Sequence, residues 1–198
     1  MKKTKTGIYG GSFNPIHNGH IAIARKMTEL ADLDEVWFVV SPQNPLKCAD
    51  SLLADSLRLD MTRRALAPYP KLSASDCEFR LPRPSYMWNT LQWLTGAYPN
   101  REFTLLIGAD NWTCFDRWSH SQDIIVHYPI RIYPRTGFPV DEASLPPSVR
   151  LVDTGLYDIS STLVRERISK GESIEGLIPD CICHMAEQYY GNGVQEHE

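Results

Sequence analysis

The chain has 198 residues, 42% hydrophobic and 22% charged, an ordinary globular composition that excludes disorder as the main state. At about 100–200 residues per domain, the length fits a single domain over 1–198, with a tail from about 191 expected to fray. Lysine and arginine total 20 against 24 acidic residues, a net charge of −4, which argues against a broad basic face for nucleic acid but not against a small phosphorylated ligand.

In chain order, a first strand is expected over 6–9, and a helix from about 19 to 30 with His20, Ile23, Ala24, Met27 and Ala31 on one face. A strand follows over 36–40, where VWFVV is a continuous apolar run of the kind that parallel strands covered on both faces require. Leu53, Leu57, Met61 and Ala65 mark a second helix, before a strand over 71–75. Met87, Leu91 and Leu94 mark a third helix, closed by Gly96. Strands are expected over 103–107, 130–133 and 149–152, then helices over 160–170, ended by Gly171, and 179–190, stopping at Gly191. This alternation predicts an α/β fold with a Rossmann-like, doubly wound, mostly parallel sheet flanked by helices. Ligands of such sheets sit at the carboxyl ends of the strands, so the loop after the first strand is the place to look. Segments 43–51 and 112–121 have the loop-like composition of elements that close over a substrate.

No apolar run approaches the ~18–20 residues of a membrane span, and the basic start leads into Gly7 rather than an apolar signal core. The chain is therefore read as cytoplasmic, with no membrane partner. The five cysteines (Cys48, Cys77, Cys114, Cys181 and Cys183) are odd in number and fit reduced thiols. Cys183 and His184 are neighbours that point apart on a helix, and no second ligand pair accompanies them, so the reading is buried thiols in a core helix and no metal site.

The first loop reads GGSFNPIHNGH over 10–20. It lacks both the G-x-G-x-x-G spacing of dinucleotide folds and the P-loop ending. Its chemistry still points to phosphate. Gly10 and Gly11 let the backbone approach a ligand, and the helix start at Gly19 favours an anion. His17 and His20 lie three apart there, close enough to face one ligand or simply to cap the helix. ISSTLVR over 159–165 opens a later helix, where Ser160 can cap and Thr162 and Arg165 fall in the first turns. Hydroxyls, a guanidinium and a helix N-terminus make a polyphosphate clamp.

The first loop resembles the GG-[ST]-F-[DN]-P-x-H-x-G-H signature of the H-x-G-H nucleotidyltransferase superfamily, and ISSTLVR resembles its I-S-S-T-x-[IV]-R segment. SPQNPLK over 41–47, PSYMWNTL over 84–91, IGAD over 107–110 with Arg117 and Trp118, and the pair Pro134-Arg135 narrow the likeness to bacterial nicotinate-nucleotide adenylyltransferases. The resemblance spans about residues 5–190. It implies transfer of AMP from ATP to nicotinate mononucleotide, with Mg²⁺ carried on the ATP oxygens. It also implies roles. His17, His20, Lys47 and Arg165 would neutralise and position the phosphates, with Gly10, Gly11, Ser12 and Phe13 around ATP. Ser160 and Thr162 would hold the β- and γ-phosphates, and Gly108 and Asp110 the adenosine ribose, Asp110 being otherwise a helix N-cap. Trp118 would stack on the pyridine ring, with Tyr86 and Thr90 lining the same pocket. Arg135 would face the mononucleotide phosphate or is an ordinary strand-end arginine.

Three positions depart from the pattern: Met87 replaces a threonine, Asn89 an aspartate and Ser119 an aromatic. The competing readings are a related transferase acting on nicotinamide mononucleotide or phosphopantetheine, and a non-catalytic ATP-binding module on the same fold. The sequence leaves homo-oligomer formation open.

Overall fold

The computed structural model describes residues 2–43 and 52–191. Six parallel strands form one sheet in the order β3-β2-β1-β4-β5-β6. They are β1 (Thr4–Gly11), β2 (Glu35–Val40), β3 (Leu72–Ser75), β4 (Arg101–Gly108), β5 (Ile130–Tyr133) and β6 (Val149–Leu151). Each expected strand is present, with ends moved by at most two residues. The helices are α1 (Asn18–Leu30), α2 (Asp55–Leu66), α3 (Met87–Ala97), α4 (Ala109–Thr113), α5 (Ser121–His127), α6 (Ser161–Ser169) and α7 (Cys183–Gly191).

The strand alternation sorts the core into two layers. Tyr9, Phe38, Val40 and Leu106 pack with α1, α2, α6 and α7 on one face of the sheet. Ile8, Val39, Leu105, Ile107, Ile130 and Ile132 pack with α3 and α5 on the other. Each fully buried leucine or isoleucine contributes about 1.5–3 kcal/mol. Strands after β1 build outward in one direction and strands after β4 in the other. The winding therefore reverses between β1 and β4, and that is where a crevice opens at the carboxyl ends.

Several local expectations shift. Gly10 and Gly11 are the last residues of β1 rather than loop, paired with Val39 and Val40. Gly96 lies inside α3, which runs one residue further and is capped by Tyr98. The buried side of α2 is turned towards Arg58, Leu59, Met61 and Thr62, because Arg58 finds carbonyl partners in the interior, and Leu57 is only half-buried. The last expected helix is split into a 3-10 turn, Asp180–Ile182, and α7. The segment 112–121 is no open loop. It holds the end of α4, a 3-10 turn Phe115–Arg117 and the first residue of α5, elements too short to show a helical period in sequence. Ser160 caps α6 as expected, its Oγ accepting from the Leu163 amide at 3.1 Å, and Gly171 follows that helix with a φ of 67°. Cys181 is exposed and Cys183 half-buried, their thiols donating to the carbonyls of Arg64 and Pro179, so the buried-thiol reading fails there. Among the described residues no helix is long and apolar enough to cross a membrane.

Candidate active site

His17 and His20 close a reciprocal cap at the start of α1. His17 Nδ1 accepts from the His20 amide and His20 Nδ1 from the His17 amide, each at 3.3 Å. With Nδ1 accepting, the proton of a neutral ring belongs on Nε2 in each case. The rings stack with centroids 3.5 Å apart. Burial, helped by the charge of Arg135, pushes His17 down to about 3, so it is a neutral imidazole at pH 7 and not a cation. His20 faces the crevice; His17 stands behind it, 3% exposed.

The preceding turn is held from both sides. Phe13 has a φ of 44°, a conformation costing a non-glycine residue on the order of 1 kcal/mol. Its ring packs edge-on against Tyr9 and His20 at 5.7 and 5.1 Å, which fixes it. Arg58 of α2 enters from below with its side chain fully buried. Its guanidinium donates to the carbonyl of Ser12, to that of Ser41 at 2.9 Å and to that of Leu53 at 2.8 Å, and pairs with Asp55 at 2.6 Å. One side chain thus ties the turn after β1 to the end of β2. In the sequence Arg58 carries no signal beyond an arginine set next to the apolar positions of α2, where Arg63 and Arg64 also stand.

Between the ends of β1 and β4 lies a cavity of about 430 Å³. Gly10, Gly11, Ser12, Phe13 and His20 form one side, and Tyr86, Asp110, Trp118 and Arg135 stand around it. A second cavity of about 490 Å³ adjoins it, sharing Asp110 and Arg135 and reaching Ser160. Asp110 lies in the first turn of α4, whose N-cap is Gly108, so it is not the cap itself. A Cβ on Gly108 would sit 2.2 Å from Asp110 Oδ1, so a larger residue there would displace that carboxylate from Arg135. Asp110 Oδ1 stands 3.7 Å from Arg135 Nε.

Six buried side-chain N or O atoms close no hydrogen bond among the described residues. Five belong to residues lining the 430 Å³ cavity: Glu78 Oε2, Ser85 Oγ, Asp110 Oδ1, Trp118 Nε1 and Arg135 Nε. Buried polar atoms are normally paired, so this concentration marks a place built for a polar ligand. The Trp118 ring is braced by Phe115 at 5.2 Å.

The start of α6 is docked onto the turn after β1. Ser161 Oγ donates to the Pro15 carbonyl at 2.8 Å, and Arg165 Nη1 to the Asn14 carbonyl at 2.7 Å. Arg165 Nη2 also reaches Thr162 Oγ1 at 3.4 Å, and Thr162 is exposed. Ser161, rather than Ser160 or Thr162, lines the main cavity. Thr90 does not line it: it is fully buried behind the wall and donates to Glu78 Oε1 at 2.8 Å. Lys47 lies outside the described residues. Glu78, Ser85, Arg117 and Ser119 complete the wall.

Residues 8–167 match the cytidylyltransferase-like family. The chain is 51% identical over 174 residues to a protein of Bacteroides fragilis, covering 88% of this chain and 87% of that one. It is 46% identical over 195 residues to one of Bacteroides thetaiotaomicron, covering 98% and 96%. Both relatives carry the name "Probable nicotinate-nucleotide adenylyltransferase". Among solved structures, Plasmodium falciparum nicotinic acid mononucleotide adenylyltransferase complexed with NaAD superposes with a TM-score of 0.79 at 22% identity, over 98% of this chain and 100% of that one, a likeness of fold. The fold, the H-x-G-H turn with its crevice and the extent of these matches place the chain in the cytidylyltransferase-like family, among the nicotinate-nucleotide adenylyltransferases.

Proposed function

We propose that this chain transfers AMP from ATP to nicotinate mononucleotide, forming deamido-NAD and pyrophosphate in NAD biosynthesis in the cytoplasm. The observation that carries this reading is the pair of adjoining cavities that share Asp110 and Arg135, set between the starts of α1 and α6. The 430 Å³ cavity takes the mononucleotide and the reacting phosphates, the adjoining one the nucleoside part of ATP, and the shared residues stand between them.

A phosphate monoester has a second pKa of about 6, so the acceptor is already anionic near pH 7 and needs no side-chain nucleophile. Its oxygen forms a bond to the α-phosphorus while the bond from that phosphorus to pyrophosphate breaks, the electron pair leaving with pyrophosphate. The protein's part is positioning and charge neutralisation. His20 donates from Nε2, and His17 holds His20 in place and stays neutral. Positive charge comes from Arg135 and Arg117 in the cavity wall and from Arg165 at the start of α6; Lys47, outside the described residues, would add a further cation. Ser160, Thr162 and the backbone from Gly10 to Phe13 serve the ATP phosphates, and Gly108 and Asp110 its ribose. Trp118 and Tyr86 take the pyridine end. Of the carboxyls in the wall, Asp110 faces Arg135 and Glu78 is buried, which suits an ion arriving on ATP oxygens rather than one held by the chain. Mg²⁺ bound to the nucleotide supplies further neutralisation of the phosphates.

The test is pyrophosphate release with ATP, Mg²⁺ and either nicotinate or nicotinamide mononucleotide, with phosphopantetheine as control. A strong preference for the nicotinate form is expected. Preference for the amide keeps the reaction and changes the acceptor. ATP binding with no turnover on any of the three overturns the enzyme reading.

A further inference from the structure

Glu78 stands where three segments of the cavity wall meet. It lies on the 3-10 turn Cys77–Arg80, against Ser41 at the end of β2 and the stretch from Ser85 to Thr90 that opens α3. The residue is 2% exposed. Oε1 accepts from Thr90 Oγ1 at 2.8 Å, while Oε2 and the Ser85 hydroxyl each close no hydrogen bond. The backbone continues the link: the Ser85 amide donates to the Gln43 carbonyl at 3.1 Å, and the Thr90 amide to the Tyr86 carbonyl at 3.2 Å.

We propose that Glu78 is a positioning residue for the mononucleotide, holding Tyr86 and Met87 in place through Ser85 and Thr90 without itself touching substrate. This rests on the reading of the wall as the pyridine end. The open Oε2 and the open Ser85 hydroxyl are complementary groups within one wall. A small inward movement of the Ser85–Met87 stretch, as a ring enters, closes the missing hydrogen bond and returns the cost of leaving both atoms bare.

Burial among hydroxyls favours the neutral acid, which offers one acceptor and one donor to Thr90 and Ser85. Burial raises Glu78 above its ordinary value, and the hydroxyls of Thr90, Ser41 and Ser85 draw it back only in part. Those three hydroxyls and the adjacent Cys77 thiol, itself pushed up to about 11 chiefly by burial, are the groups that face it. No ion pair of the described residues includes it; Asp110, Arg117 and Arg135 line the same cavity from other elements. Glutamine carries the same acceptor and a donor in place of the Oε2 proton, so it reproduces the neutral acid and not the carboxylate.

The experiment compares the parent with Glu78→Ala and Glu78→Gln, measuring both KM values, kcat and melting temperature against pH. Glu78→Ala is expected to raise the mononucleotide KM about tenfold, the size of one lost hydrogen bond, with the ATP KM and kcat within about twofold. Glu78→Gln is expected to restore the parent KM to within about threefold. If Glu78→Ala does not fold, Ser85→Ala reports the same split. Equal rises in both KM values, a fall in melting temperature alone, or a glutamine variant that behaves as the alanine one each overturns the proposal. The melting curves need no turnover. An acid raised on folding leaves stability intact below its ordinary value of 4.5 and loses it as pH climbs through the raised value, so the parent should fall behind Glu78→Gln as pH rises. If the parent does not use nicotinate mononucleotide, the acceptor reading fails by itself. Glu78 is then judged on those curves, where parallel courses overturn it.

Discussion

The two ends of the one sheet make opposite use of buried polarity. At the amino ends of the strands lies a larger cavity of about 840 Å³, bordered by Lys5, Asp32, Arg101, Arg131 and Arg150. Much of its polarity is already spent. Lys5 pairs with Asp32, Arg101 pairs with Glu35 at 3.2 Å and lies over Trp37, and Arg131 donates to the carbonyls of Ile130 and Ser148. At the carboxyl ends the cavity is half that size, yet of the six buried side-chain polar atoms that close no hydrogen bond among the described residues, five are there. Volume alone would choose the wrong end. What distinguishes the site is polar groups buried at a cost and left for binding to satisfy, by contact with the ligand or by closing on one another.

Four substitutions test the contrast between the two ends. The largest effect is expected from Arg58→Met, which removes the cation from a fully buried network and leaves the carbonyls of Ser12, Ser41 and Leu53 and the Asp55 carboxylate short of a donor. A loss of about 3–5 kcal/mol in urea unfolding is expected. A loss under about 1 kcal/mol would show that the turn holds without its pin. His20→Ala comes next. It should lower kcat/KM by on the order of 10²–10³ while the fold survives. Turnover equal to the parent would remove His20 from the mechanism.

A third effect sharpens the picture of His17. Its imidazole sits near 3 when folded and near 6.5 when free, so the unfolded chain binds the extra proton first as pH falls. The stability it contributes is complete above pH 6.5 and is lost between 6.5 and 3, about 2 kcal/mol by pH 5. Unfolding curves of the parent and His17→Asn that stay parallel from pH 7 to 5 would contradict the buried neutral ring. The smallest effect is expected at the other end. Lys5→Ala should leave turnover within about twofold, since an exposed ion pair contributes little. A large loss of activity there would mean that the amino-end cavity takes part in function.

Much of this was legible from the chain alone, but unevenly. The strands of VWFVV type, the Ser160 cap and the Gly171 ending follow from local rules, and all are present. Thr90 shows where such rules stop. Its place in a helix is readable, yet whether its hydroxyl faces the cavity or Glu78 depends on how α3 is turned against the Cys77–Arg80 segment. The short helices α4 and α5 escaped because five and seven residues do not carry a period.

The alternation of strands and helices, the two motif-bearing turns and the family are legible along the chain, because capping, periodicity and motif spacing are properties of neighbouring residues. That Arg58 pins two turns 46 and 17 residues away, that His17 is neutral and that Glu78 faces three hydroxyls depends on packing between distant segments. The physical reason is the same for each. A buried polar group takes its charge state and its role from the atoms packed against it, and the fold brings those atoms from distant parts of the chain.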